Sequence, residues 1–117
     1  MERGHISTSS DLKPVTTDLP ASDGSWVEVT AAAVAGVVAI GVSAAHSIMW
    51  IFADSSSDAD TDHGNGNYAS YRGDDINYEI PCAGRGAGKP NLYIRALSEA
   101  SGTTAGISYW AIAGCEG

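Results

Sequence analysis

The chain has 117 residues, with 14 acidic against 6 basic side chains, a formal charge of −8, 14 glycines and 44% hydrophobic residues. A chain this short holds one domain, which excludes a large multidomain enzyme, and its scattered Arg3, Lys13, Arg72, Arg85, Lys89 and Arg95 offer no basic stripe for nucleic acid. Gly, Ala, Ser, Thr and Val far outweigh Leu12, Leu19, Leu92 and Leu97, a balance that favours short strands joined by turns over packed helices.

Residues 1–24 are rich in Ser, Thr, Asp and Pro, with Ile6, Leu12, Val15 and Leu19 isolated among them. Such a segment buries too little apolar surface to fold alone, so it reads as an extended N-terminal arm whose four apolar side chains anchor it to a partner. Met1 to Asp23 has no apolar run of the kind a secretory signal needs. The texture changes at Ser25, and a folded domain is expected over 25–117. Strand-forming Trp26, Val27, Val29 and Thr30 predict a first strand at 25–30, with Trp26 in the core or on a partner seam.

Ala31 to Ala53 carries no Asp, Glu, Lys or Arg. By apolarity alone this stretch nominates a membrane-spanning helix. Gly36, Gly41, Ser43, His46 and Ser47 dilute it, however, and Glu28 and Asp54 flank it where Lys or Arg anchors belong. Two buried strands, Gly36–Ala44 and Ser47–Ala53, turning near Ala45 and His46, are the favoured expectation; a small membrane protein is the alternative.

Residues 54–67 (DSSSDADTDHGNGN) read as a solvent-facing polar loop. Within it Asp58, Asp60 and Asp62 alternate in the manner of a calcium loop, because carboxylates spaced by two on a curling segment can converge on one hard cation. The pattern departs from that motif at His63, where the sharp turn wants Gly, and at Ala69, where a bidentate Glu belongs. Tyr68–Tyr71 follows as a short edge strand. Arg72, Gly73 and Asp74 spell a cell-adhesion tripeptide, read here as a turn. Asp75–Ile80 alternates Ile76, Tyr78 and Ile80 with Asn77 and Glu79, a half-buried strand stopped by Pro81.

Ala83 to Asn91 (AGRGAGKPN) superficially resembles a phosphate-cradling loop, but Ala83 replaces the first glycine and Pro90 follows Lys89. It reads as a strand connection. Leu92–Ser98 is the next strand, with Leu92, Ile94 and Ala96 on one face and Tyr93, Arg95 and Leu97 on the other. Glu99–Thr103 is expected to connect a hairpin, and Ala105–Ala113 to be the last strand. Cys82 and Cys115 lack metal-ligand spacing and are either two thiols or a disulfide between the C-terminus and the glycine-rich turn. His5, His46 and His63 are not placed with a Ser or Cys in any nucleophile arrangement, so neither an enzyme nor a cofactor is predicted. Short strands and turns in this order predict an all-β fold: a small antiparallel β-sandwich or jelly-roll-like domain behind the arm.

The segment Tyr93, Arg95, Ala96 followed by Ser101 to Thr103 resembles the C-terminal strand-turn-strand unit of small phage virion proteins with a β-sandwich or jelly-roll domain. That resemblance implies a head decoration, cement or head-fibre protein: a non-enzymatic virion subunit, symmetric and often trimeric, on the outside of a capsid. Its partners would be the major capsid protein and further copies of itself, with Ile6, Leu12, Val15, Leu19 and Trp26 making contact and Trp110 in the core or at a subunit seam. An alternative on the same scaffold is a receptor- or glycan-binding tip module that uses the 54–67 and 83–91 loops, with calcium as the one conceivable ion.

Overall fold

A computed structural model describes residues 15–20, 25–33, 36–82, 88–97 and 106–113. Among the described residues eight strands form two four-stranded antiparallel sheets that pack face to face. Sheet A has the order β1 (Val15–Asp18), β8 (Gly106–Ala113), β3 (Val37–Ala44), β6 (Ile76–Pro81). Sheet B has the order β2 (Val27–Val29), β7 (Asn91–Ala96), β4 (Ile48–Ala53), β5 (Ala69–Tyr71). Successive strands from β1 to β4 alternate between the sheets, and the later strands return to complete them; this is the strand order of a jelly roll. The all-β sandwich expected from composition and alternation is therefore the observed fold.

Alternation along the strands sets the core. Cross-strand register puts Ile40, Val42 and Ala44 of β3 beside Ile80, Tyr78 and Ile76 of β6 and beside Ala111, Tyr109 and Ile107 of β8. All of these but Tyr78, which is 53% exposed, meet Ile48, Leu92, Ile94 and Ala96 of sheet B in one buried cluster. The run 31–53 holds most of a 3-10 turn, Thr30–Ala33, and then two of these strands, β3 and β4. No helix of the described residues is long and apolar enough to cross a membrane. The uncharged character of the run follows from where β3 and β4 lie, since β3 is flanked on both sides over most of its length and β4 over its first half.

Three expectations change. Residues 15–20 are not part of a free arm: Val15–Asp18 pairs with β8 as β1, Leu19 is 4% exposed within the core cluster, and the Pro20 carbonyl accepts a 2.9 Å hydrogen bond from the Ala96 amide. Leu19 crosses from sheet A toward sheet B and fills the space between them, so the folded domain begins before the boundary expected at Ser25. The 54–67 segment contains a helix, α1 (Ser56–Gly64). Residues 99–103 lie outside the described residues, and the strands on either side do not pair as the expected hairpin, because β7 lies in sheet B and β8 in sheet A.

Candidate functional site

Helix α1 forms because its ends are well capped, with little help from its sides. The Ser55 hydroxyl accepts from the Asp58 amide at 3.2 Å, and Asp58 puts a carboxylate in the first turn, where the helix dipole favours it. At the other end the Asn65 amide bonds the Thr61 and Asp62 carbonyls at 3.1 Å, and Gly66 turns the chain out with φ +79°. The single buried residue of the helix, Ala59, packs with Ile51, Ala53 and Tyr93 on the outer face of sheet B. A small side chain there lets the helix backbone lie close to the sheet.

The helix gives its three aspartates different surroundings. Asp58 stays in the first turn, Asp60 Oδ1 accepts from Trp26 Nε1 at 2.7 Å and lies 3.6 Å from Arg95 Nη1, and Asp62 Oδ2 pairs with Lys89 Nζ at 3.2 Å. Among the described residues no three His, Cys, Asp or Glu side chains group to hold a metal ion. The convergence expected of a calcium loop needs a curling loop, whereas in helix α1 Asp60 points away from the face that Asp58 and Asp62 share.

Arg95 is the centre of the helix-to-sheet contact, and it is 6% exposed. Its guanidinium lies 4.0 Å from the Trp26 ring centroid, near Asp60, and 3.3 Å from His63 Nδ1. Guanidinium can only donate, so Nδ1 of His63 is the acceptor. The indole also meets the His63 ring edge-on, at 6.2 Å between centroids. Trp26, expected in the core or at a partner seam, is committed to holding α1 through Asp60, Arg95 and His63. Burial, and then the Glu28 carboxylate beside it, raise Tyr93 above the ordinary tyrosine value.

Beside the helix a groove of about 430 Å³ is lined by Trp50, Ile51 and Phe52 of β4, by Asp62, by Asn67, Tyr68 and Ala69, and by Lys89. It exists because β5 pairs only with Ile48, Met49 and Trp50, leaving the remainder of that β4 edge without a neighbouring strand. Tyr68, 39% exposed, leans on His63 at 5.1 Å between ring centroids and forms the outer wall. Trp50, Tyr71 and Tyr78 continue as a stack with centroid separations of 4.3 and 4.8 Å, closing the open side of the sandwich between β5 and β6. The Tyr71 hydroxyl donates to the Glu79 carbonyl across that seam. Burial first and Glu79 second raise Tyr71, and burial alone raises Tyr109 in the core.

The remaining sequence candidates are dispersed. Val15 is 40% exposed on edge strand β1, whereas Ile6, Leu12 and Cys115 lie outside the described residues. Cys82 is buried at the end of β6, its amide bonded to the Val38 carbonyl. Arg72–Asp74 bends between β5 and β6, where a turn was expected, and Ser47 Oγ ties it by accepting from the Gly73 amide at 2.7 Å. Sequence reasoning missed the joint role of Arg95, Trp26 and Asp60, which only the topology brings together.

The outer face of sheet A is built differently. Trp110 is directly opposite Gly41, and a β-carbon on Gly41 would overlap its indole, so the ring lies over the strand. Beyond it come Ile112 opposite Ala39, exposed Pro81, and Val38 at the bulge of β3, which is 48% exposed. Thr16, Ser108, Ser43 and Asn77 form a polar row across the other end, with the Thr16 and Ser108 hydroxyls bonded at 3.0 Å. Comparison with protein-family models, curated proteins and solved structures returned no match.

Proposed function

We propose that this chain is a non-enzymatic structural subunit of a virion, a decoration or cement protein that sits on the outer surface of a viral head and associates with the major capsid protein and with copies of itself. The observation that carries this reading is the outer face of sheet A, where Val38, Ile112, Pro81 and Trp110 make an apolar end bounded by a polar row. A face of this make-up suits protein contact, and symmetry would multiply a modest contact into stable occupancy; a trimer is the proposed assembly. Jelly rolls also serve many other roles, so the fold agrees with the reading without carrying it.

Ile6 and Leu12 remain the proposed arm contacts, joined by Val15 on the exposed edge. The test is truncation of residues 1–14, which stops short of β1 and leaves every described strand in place. The shortened chain should keep its circular dichroism and melting temperature but lose co-sedimentation with the particle, and Val38→Asp should weaken self-association in sedimentation velocity. A full-length chain that is monomeric and absent from purified particles overturns the reading.

A further inference from the structure

We propose that the groove beside α1 binds a neutral saccharide. Its volume of about 430 Å³ falls in the range of small-molecule sites, and its make-up is mixed in a particular way. Tyr68, 39% exposed, offers an aromatic ring, with Trp50 and Phe52, half-buried against the inter-sheet core, also in the lining, while Asp62, Asn67 and Lys89 present an acceptor, an amide able to donate and accept, and a donor. A pyranose ring needs that combination: its C–H face packs on an aromatic ring, and its hydroxyls, each donor and acceptor at once, bond polar groups at the rim.

Charge narrows the ligand further. Lys89 and Asp62 are already paired at 3.2 Å, so the groove holds no uncompensated cation for a phosphate or a sugar acid. The protein as a whole, at −8, also repels anions. Fixing Asp62 and Lys89 against one another leaves the remaining lone pairs and N–H groups of both aimed from a held position, which lowers the ordering cost when a hydroxyl arrives. Asp62 is set by α1, Asn67 by its amide bond to the Asp62 carbonyl at 2.8 Å, and Trp50 by its stack on Tyr71, so the walls come from three different elements.

The proposal does not rest on the virion reading, because the groove is on sheet B and the proposed assembly face is on sheet A. The experiment uses the full-length ¹⁵N-labelled chain, titrated separately with maltotriose, lactose, mannobiose and chitotriose, with glucuronate and adenosine monophosphate as charged comparators. At least one neutral sugar should shift the amides of Trp50–Phe52 and Asn67–Ala69, with a dissociation constant of roughly millimolar order. Asn67→Ala and Tyr68→Ala, both at exposed positions, should each weaken that binding about tenfold while the melting temperature holds. The proposal fails if no neutral sugar moves these amides, if the charged comparators bind as well or better, or if binding survives in both variants.

Discussion

The two sheets hide their outer faces by different means. Sheet B carries Met49, Ile51, Tyr93 and Arg95 outward and buries all of them, because α1 and Trp26 form a third layer over it. Sheet A has Trp110 folded flat on Gly41 and an apolar end left partly open around Val38. One face is closed by a whole element that must be held down, the other by one side chain that occupies a notch. Surface that is sealed serves stability, and surface that is open is available for contact, so the margins of the two coverings are where binding is expected.

The largest expected effect comes from lifting the covering of sheet B. Ala59→Glu puts a long carboxylate side chain where Ala59 is fully buried against Ile51, Ala53 and Tyr93. Burying it there costs about 3 kcal/mol or more, so α1 should detach and the melting temperature should fall by roughly 10–20 °C. Thermal unfolding followed by circular dichroism checks this. A fall of under about 4 °C would show that the helix contributes little and that the contrast between the faces is not energetic.

The strands were legible and the helix was not, for reasons that lie in particular residues. Ile40, Val42 and Ala44 in β3 and Ile76 and Ile80 in β6 occupy alternate positions on the buried face, and burial of one sheet face imposes that period, while Val38 and Tyr78, which continue the alternation in sequence, are exposed. Periodicity cannot reveal α1, since Ala59 is its only buried residue. Its signal lay in the caps: Ser55 and Asp58 have the spacing of a capping box, and Asn65 and Gly66 supply the exit. The two faces of β7 divide as expected, Leu92, Ile94 and Ala96 toward the inter-sheet core and Tyr93 and Arg95 away from it, but that the second face is also buried follows from the helix over it. Of the groove, the sequence pointed to the segments bearing Asp62, Asn67 and Lys89; the aromatic wall from β4 depends on where β5 stops pairing, a property of register that composition does not carry.

Sheet A gives a test whose sign distinguishes the alternatives. Valine is a better strand former than glycine, so on an unoccupied strand surface Gly41→Val would stabilise by up to about 1 kcal/mol. With Trp110 seated on Gly41 the new side chain must displace the indole, and the substitution should instead destabilise by about 1–3 kcal/mol and shift Trp110 emission to the red. Placing Gly41→Val in a Trp110→Ala background should return the stabilising sign. A stabilising effect with Trp110 present would mean that the notch does not hold the ring.

The smallest effect vanishes at neutral pH and appears only in alkali. Tyr93 under α1, Tyr71 at the aromatic seam and Tyr109 in the core all have values raised above 10.0, chiefly by burial, which disfavours the phenolate. The folded chain therefore holds these protons more tightly than the unfolded chain does. Stability is unaffected by them below about pH 10 and falls as pH rises through the interval between the unfolded and folded values. Denaturant midpoints measured from pH 8 to 11 should be flat and then decline. Tyr93→Phe removes its share of the decline, and it tests the covering directly: if α1 lifts off readily in solution, Tyr93 titrates as an exposed phenol and the substitution leaves the alkaline slope unchanged.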